Sequence, residues 1–444
     1  MNKETFLQHV TKYVRSKEAR QMVETELNSH LEQSIHSFER AGLSQEEAER
    51  KAVEKMGNPE KIGMKMSQLH KPVIDWQLIS LFLFFQVASL IPFLFAVNLD
   101  QPSNLSSKIT FTILGTLIAI GLMFVDYRFF YRKNKYLLIL LIIALLISQF
   151  FTVHINGYRM TKWVYFRFNS FAFIPLLLVV CAGILQKKST KQSKLIELYI
   201  DRKRKFSYRL SARLSLMVIF IILSLLYIPI NNLPSSLLYL AMCFSMFAWM
   251  YRGERKIIVG SMITFLVTVI SLGMFIFFQP YGNSLTQRIN TYLNPELDIS
   301  GFQYIQIREM LGQAGWFMNH VHEQIVMPSA YSDFIFTTIT YQYGWLVAIG
   351  LTLLFIMMSL RIGLLAKKVS DPYGQVLIIG ACVLFTFPFI YNIAMSVGLL
   401  PIANLSLPFF SYGKLPIIIY SFLIGIVLSV YRRKNYYINE EEKR

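Results

Sequence analysis

The side chains best suited to chemistry lie in one long polar segment, residues 279–338, between two apolar stretches. Asp333 stands near its end, directly before an apolar run. A carboxylate held near a membrane surface can act as a general base, because partial desolvation raises its pKa toward neutrality. A carboxylate just before a helix is also suited to capping its N-terminus. The position alone therefore leaves two roles open for Asp333.

The same segment holds two other groups of polar residues. His320 and His322 lie near Glu323, a set that suits a metal ion. However, histidines two positions apart do not share a helix face, so ordinary surface residues are the alternative. Glu296 and Asp298 could assist a base or bind a divalent cation, or they could be solvated turn residues. No cofactor is certain from the sequence, and a divalent cation is the one candidate.

The composition places the chain in a membrane. Of its 444 residues, 54% are hydrophobic, and the apolar runs are long and repeated. The formal charge of +18 is confined to short basic clusters between these runs, so we reject nucleic-acid binding. Cys181, Cys243 and Cys382 all lie inside apolar runs and are interpreted as small core residues.

The periodicity and length of the apolar runs predict an all-α, polytopic membrane protein with ten transmembrane helices. A large extracytoplasmic loop, 279–338, separates the seventh helix from the eighth. The predicted spans are 76–98, 109–126, 136–153, 168–186, 210–229, 235–251, 256–278, 339–360, 374–395 and 415–431.

The distribution of basic residues predicts the orientation. Four connections (127–136, 187–209, 252–256 and 361–372), the tail 436–444 and the helix end adjoining that tail together carry 24 Lys and Arg residues. The connections on the opposite side of the membrane carry 7. By the positive-inside rule both termini are cytoplasmic, and the protein is expected in the bacterial cytoplasmic membrane. The most basic connection, 187–209, is either an anchor on anionic lipid or a docking site for an acidic partner.

Residues 1–72 form a separate, charged region in which we expect about four short helices. Ser44 with Glu47 forms a capping box, and Asn58-Pro59 begins the next helix. The stretch Lys55-Met56-Gly57-Asn58-Pro59-Glu60-Lys61-Ile62 resembles the HAAS-type helical domain that precedes membrane proteins in Gram-positive bacteria. We interpret the region as a cytoplasmic interaction domain. Its predicted core positions are Phe6, Val10, Val14, Met22, Leu27, Leu31, Ala52, Val53, Met56, Ile62 and Met66.

The membrane region, residues 73–435, resembles the SEDS family (shape, elongation, division and sporulation), which includes the FtsW, RodA and SpoVE glycan polymerases. Pro328-Ser329-Ala330-Tyr331-Ser332-Asp333-Phe334-Ile335-Phe336 is similar to the family's Pro-Glu-x-His-Thr-Asp-Phe-Ile-Phe. The other matching motifs are Gln287-Arg288-Ile289 with Leu293-Asn294-Pro295, Gly301-Phe302-Gln303-Tyr304-Ile305-Gln306, Gly312-Gln313-Ala314-Gly315, Asn392-Ile393-Ala394-Met395, Gly398-Leu399-Leu400-Pro401 and Leu407-Pro408-Phe409-Phe410-Ser411-Tyr412-Gly413.

The resemblance implies glycosyl transfer between lipid-linked sugars, with Asp333 as the essential acid. It further implies lipid II as substrate and a class B penicillin-binding protein as partner. Arg288 and Lys414 could supply positive charge to the leaving pyrophosphate. The remaining residues implied in substrate binding are Lys162, Gln303, Gln306, Asn392 and Ser411.

Several family positions are altered. Ser329 and Tyr331 replace the Glu and His that precede the motif Asp, and Lys414 replaces a Gly. In the fourth span, Phe171 and Ile174 stand where the family has a Glu and a Lys of its central cavity. Intramembrane charges are costly and are usually retained for function, so their joint loss indicates an altered activity.

The leading hypothesis is a SEDS-type peptidoglycan glycosyltransferase that polymerises lipid II at the outer face of the cytoplasmic membrane. One alternative is a catalytically weakened paralogue that scaffolds or regulates envelope synthesis. Another is a polymerase for a different polyprenyl-linked glycan. A flippase for lipid-linked precursors ranks low, because the spans hold few intramembrane charges of the kind that couple transport to an ion gradient.

Overall fold

The structure is a computed structural model in which most of the chain is described. The described residues are 1–14, 17–94, 103–150, 152–155, 158–163, 166–168, 170–198, 233–253, 255–278, 290–297, 301–318, 327, 329–403 and 405–435. They divide into two compact units. Unit 1 comprises Met1–Asp75, Lys368–Asp371 and Val430–Arg444, and unit 2 comprises Trp76–Lys367 and Pro372–Ser429.

Unit 1 is built around four helices whose ends follow the capping signals of the sequence. The helices are α1 (Lys3–Lys12), α2 (Lys17–Arg40), α3 (Gln45–Met56) and α4 (Pro59–Leu69). Ser44 caps α3 by accepting from the Glu47 amide, and Asn58 caps α4 by accepting from the Glu60 and Lys61 amides. Four helices and both predicted caps are thus confirmed. At 24 residues, α2 is longer than the short helices expected.

The core of unit 1 contains all the apolar positions predicted for it. Seven of them are buried, from Phe6 to Val53, and Met22, Met56, Ile62 and Met66 pack against these. Thin apolar stripes on short, charged helices are enough here because each stripe faces the same small core.

Unit 2 is predominantly helical, as predicted. Its helices are α5 (Trp76–Ala88), α6 (Ile91–Leu94), α7 (Ser103–Phe124), α8 (Arg128–Arg132), α9 (Asn134–Phe150), α10 (Ile174–Leu198), α11 (Leu233–Met250), α12 (Arg255–Phe278), α13 (Phe302–Gln313), α14 (Ile335–Tyr343), α15 (Trp345–Lys368), α16 (Pro372–Ser396) and α17 (Lys414–Arg432).

A small antiparallel sheet lies between α9 and α10, and the prediction of an all-α chain did not include it. Its strands β1 (Thr152–Ile155), β2 (Tyr158–Trp163) and β3 (Phe166–Phe168) pair in the order β1-β2-β3. The sheet lies mainly in the connection between the predicted spans 136–153 and 168–186, and it overlaps those spans only at 152–153 and 168. The strands contain β-branched and aromatic residues such as Thr152, Val153 and Trp163, which suit short strands.

Five helices in the described part of the chain are long and apolar enough to cross a membrane. They are Trp76–Phe93, Leu105–Phe124, Trp345–Lys368, Pro372–Ser396 and Lys414–Arg432. Shorter apolar helices cover Asn134–Ile147, Ile174–Lys187, Ser235–Met250 and Ile258–Ser271. The predicted span 210–229 lies outside the described residues, so the count of ten spans stays a prediction.

Aromatic packing fixes the segment 407–413 against the helices of unit 2. Phe410 meets Phe85 with ring centroids 6.1 Å apart and Phe355 at 6.0 Å. Phe409 meets Phe82 at 5.5 Å. Both Phe409 and Phe410 are buried, which anchors the backbone between them. The segment 407–413 contacts the turn that carries Asp333, as described below.

Candidate active site

A tight turn at residues 329–334 carries Asp333. Ser329 adopts a left-handed conformation with φ 64°, and its carbonyl accepts from the Ser332 amide at 3.0 Å and the Phe334 amide at 3.3 Å. Helix α14 then begins at Ile335 with Phe334 as N-cap and no side-chain capping bond. The Thr338 hydroxyl closes the turn from the helix side by donating to the Ala330 carbonyl at 2.8 Å.

The Asp333 side chain does not cap α14. It is partly buried, and no described residue donates a hydrogen bond to its carboxylate or pairs with it as an ion. Burial raises the pKa of the Asp333 carboxyl to about 7. At neutral pH the group is therefore poised between its two protonation states, as a general base requires.

The backbone of the turn is held from residues far along the chain. The side-chain amide of Asn392 donates to the main-chain carbonyls of Asp333 and Leu405, both at 2.8 Å. The Ser411 hydroxyl donates to the Ser332 carbonyl at 2.6 Å and accepts from the Leu407 amide at 2.7 Å. These bonds fix the main chain on both sides of the carboxylate while leaving the carboxylate itself uncommitted.

One further bond joins the same two segments. The Tyr412 amide donates to the Tyr331 carbonyl at 2.6 Å. The rings of both tyrosines lie against Phe93, with centroids 5.4 Å and 6.0 Å away. Tyr331, which replaces a family His, is therefore part of an aromatic cluster beside the turn, and the Gln342 amide donates to its hydroxyl at 3.4 Å.

Lys108 is a candidate site residue that was not predicted from the sequence. It lies on α7 with only 1% of its surface exposed, and its ammonium donates to the Phe410 carbonyl at 3.2 Å and the Ser411 carbonyl at 3.1 Å. A third bond, to the carbonyl of Phe409, completes the set. Phe409 itself has φ 63°, a left-handed conformation that these contacts help to maintain.

A signal for Lys108 was present in the sequence. It is the one charged residue within Ser103–Phe124, an otherwise uncharged helix. A lone ionisable residue inside an apolar span is costly and indicates a function. What the sequence could not supply was the partner, because the carbonyls that accept from it lie some 300 residues later.

The other predicted site residues fall into three groups. Gln306 is buried and Gln303 partly exposed on α13, whose Ile307 and Met310 pack with Phe334 of the turn. Lys414 is exposed at the first residue of α17, with its ammonium 5.5 Å from the Phe111 ring centroid. Arg288 and the Lys162 side chain lie outside the described part of the chain.

Asn392 and Ser411 also differ from the role implied for them. They are 0% and 1% exposed, and their donors are already bonded to main-chain carbonyls. Their placement favours positioning of the Asp333 turn over direct contact with a substrate.

The structure does not test most of the proposed metal ligands. No group of three or more His, Cys, Asp or Glu residues that could hold a metal occurs within the described ranges. His320, His322, Glu323 and Asp298 lie outside those ranges, and Glu296 is exposed.

Of the two altered positions Phe171 and Ile174, the structure describes the side chain of one. Ile174, at the first residue of α10, is 1% exposed and is one of the buried apolar residues, where the family has a Lys. The Phe171 side chain lies outside the described part of the chain.

Comparison with known proteins identifies the family and the fold of the chain. The family model FTSW_RODA_SPOVE, described as cell cycle protein, covers residues 72–436. The chain therefore belongs to the FtsW/RodA/SpoVE family, the SEDS proteins, and is a multi-pass membrane protein.

Individual proteins similar to this chain carry names from the same family. A probable peptidoglycan glycosyltransferase FtsW of Trichlorobacter lovleyi is 28% identical over 74% of this chain and 84% of its own length. The corresponding protein of Thioalkalivibrio sp. is 32% identical over 33% of this chain, which spans only 38% of that relative.

Two solved structures share the fold. One, titled "Structural coordination of polymerization and crosslinking by a peptidoglycan synthase complex", has a TM-score of 0.61, with 20% identity, 82% of this chain and 98% of that chain covered. The other is Thermus thermophilus rod shape determining protein RodA, with a TM-score of 0.52, 19% identity and coverage of 83% and 99%.

Proposed function

We propose that this chain is a SEDS-type peptidoglycan glycosyltransferase that polymerises lipid II, acting in cell shape, division or sporulation. The observation that carries the proposal is the state of Asp333. Its carboxylate has no structural partner among the described residues and a pKa of about 7, while its backbone is fixed by Asn392 and Ser411. A rigidly placed carboxylate with a pKa near the working pH is what a general base needs.

In the proposed step, a sugar hydroxyl attacks the anomeric carbon of the lipid-linked donor. The Asp333 carboxylate accepts the hydroxyl proton, the new C–O bond forms, and the bond between the anomeric carbon and the pyrophosphate oxygen breaks. Polyprenyl pyrophosphate leaves with the bonding electron pair. Lys414 and Arg288 are the cations assigned to this leaving group. No cofactor takes part in the step as written, and Glu296 and Asp298 remain candidate ligands for a divalent cation.

The names of the relatives support the substrate and the partner. The FtsW relatives are called probable peptidoglycan glycosyltransferases, and one structural neighbour comes from a peptidoglycan synthase complex that polymerises and crosslinks. By analogy we assign lipid II to this chain as substrate and a class B penicillin-binding protein as partner.

The proposed topology follows from the charges of the connections. Ten spans, with both termini in the cytoplasm of a bacterial cell and 279–338 outside, place Asp333 on the side where exported lipid II is available. Residues 1–72 would then be a cytoplasmic interaction domain, since unit 1 contains a packed core and its own helix caps.

The test is polymerisation of purified lipid II by the full-length protein and by its Asp333→Asn variant in liposomes. Loss of turnover with lipid binding retained is expected, because a base acts only in the transition state. The matched control is Glu309→Gln, the same acid-to-amide change at an exposed position of α13, which should leave turnover unchanged. Normal turnover in a well-folded Asp333→Asn protein would refute the base assignment.

Thermal stability separates lost chemistry from lost folding. Because the folded-state pKa of Asp333 is raised, its contribution to stability is full below about pH 4 and is lost as the pH rises through about 7. Asp333→Asn should therefore unfold at a temperature no lower than the unsubstituted protein at pH 8. A clear fall in that temperature would indicate a structural role instead.

A catalytically weakened relative is the second candidate, favoured by one observation. Ile174 is buried in the core at a position where the family places a cavity Lys. If the unsubstituted protein polymerises none of several lipid-linked donors, with or without candidate partners, the scaffold function becomes the better explanation. Turnover of a donor other than lipid II would instead identify a polymerase for another glycan.

A further inference from the structure

Three consecutive apolar side chains at the end of the α13 region are strongly exposed. Trp316 is 67% exposed, Phe317 74% and Met318 56%. The surrounding stretch 312–318 contains no charged residue. Contiguous exposed apolar side chains of this size indicate a surface that is covered by a partner or a membrane.

The backbone of this segment is fixed against the beginning of a candidate transmembrane helix. The Trp345 amide donates to the Gly315 carbonyl at 3.0 Å, and the Leu346 amide donates to the Trp316 carbonyl at 3.2 Å. Gly344 has φ 87°, and a Cβ added there would lie 2.6 Å from the Phe317 carbonyl oxygen. The segment therefore lies at the depth where α15 begins.

The same helix presents an apolar outer surface that starts at this point. Leu346, Val347 and Ile349 are each about half exposed, at 46%, 48% and 45%. In a family of multi-pass membrane proteins such a surface faces lipid, and α15 is one of the candidate spans. The exposed segment thus continues the lipid-facing surface at its end, where Trp side chains are enriched.

We propose that residues 315–318 insert into the interfacial layer of the bilayer and anchor the end of α13 there. The occupant of this surface is lipid at the boundary between headgroups and acyl chains. Trp316 suits that layer because its indole has an apolar body and an N–H donor. Since α13 packs through Ile307 and Met310 on Phe334, the anchor fixes one end of a helix whose other contacts reach the Asp333 turn.

The proposal depends on the membrane architecture and not on the proposed catalysis. A protein that fails to polymerise any glycan would still insert this segment. Its test therefore measures depth in the bilayer and requires no turnover.

The experiment is tryptophan fluorescence of the full-length protein in liposomes of phosphatidylcholine brominated either near the carbonyl end or near the methyl end of its acyl chains. Trp316→Phe is compared with the unsubstituted protein. We expect it to remove a component that carbonyl-end bromines quench more strongly than methyl-end bromines. The control is Trp249→Phe, because Trp249 bonds to Gln375 at 3.0 Å within the protein. It should not remove that component.

Two results would overturn the proposal. One is quenching that Trp316→Phe does not change, which would place the indole in water or under protein. The other is stronger quenching by methyl-end bromines, which would place it deep in the bilayer.

A spin label at Met318→Cys in a Cys382→Ala background gives an independent reading. It should be more accessible to oxygen than to a water-soluble nickel complex, and the reverse order would also contradict the proposal.

Discussion

Polar side chains that precede a helix have different roles in two regions of this molecule. In unit 1, Asn2, Ser44 and Asn58 each stand before a helix and each accept a hydrogen bond from its first turn. At the candidate site, Asp333 directly precedes Phe334, the N-cap residue of α14, and makes no capping bond. In the first region the polar group stabilises the fold, and in the second it is left available.

The difference lies in what stabilises each helix start. The caps of unit 1 come from residues within four positions of the amides they satisfy. The Asp333 turn is held by Asn392, Ser411 and Lys108, of which the last acts through the segment 409–411. These distant residues hold the backbone of the turn through its carbonyls, so the turn is positioned without a hydrogen bond to the Asp333 carboxylate. A carboxylate that local folding does not need is a better candidate for chemistry than one that caps.

The strongest test of this contrast is Lys108→Met. The substitution removes the donor to three main-chain carbonyls, so the segment 409–411 and the turn it supports should shift. We expect turnover to fall about 100-fold with little change in KM, since a displacement near 1 Å can cost that much. The matched control is Lys135→Met, which replaces an exposed lysine on α9. Equal activity of the two variants would remove Lys108 from the site.

A smaller effect is expected for Asn392→Leu. The variant loses the bonds to the Asp333 and Leu405 carbonyls and should lower both turnover, about 10-fold, and the free energy of unfolding, by about 1–3 kcal/mol. Ser396→Ala on the same helix removes only a local bond to the Asn392 carbonyl. It should leave turnover unchanged, and a loss as large as that of Asn392→Leu would show that any change in α16 disturbs the enzyme.

The smallest effect is expected in unit 1, for Asn58→Ala. Loss of this N-cap should destabilise α4 by about 1 kcal/mol without changing turnover. Hydrogen exchange of the full-length protein is the measurement. Amides of residues 59–69 should exchange faster while those of 335–343 do not change. Reduced turnover would contradict the separation between local capping and the site.

The sequence predicted unit 1 well because its determinants are local. Caps such as Ser44 and Asn58 act within one helical turn, and an apolar stripe is visible in the spacing of residues such as Phe6, Val10 and Val14. The membrane helices of unit 2 were visible from length and hydropathy. The strands β1–β3 were not, because they are three to six residues long and lie mainly in the connection 154–167, where no apolar run marks them.

The candidate site could be predicted only in part. Asp333 was found through its motif, but whether it caps α14 could not be decided from its position. The contacts that decide this join Asn392 to Asp333 across 59 residues and Lys108 to Ser411 across 303. No local pattern records such pairs, so the positioning roles of Asn392, Ser411 and Lys108 emerge only from the structure.

The central claim is that Asp333 is a partly buried base whose carboxylate makes no capping bond. The pH dependence of lipid II polymerisation tests it most directly. A base with a pKa of about 7 must lose its proton before it can act, so turnover should rise with pH and level off above about 8. The rise should be absent from the residual activity of Asp333→Asn. A rate that is constant from pH 5 to pH 8 would mean that the essential group ionises near the ordinary value of about 4, and would contradict the account.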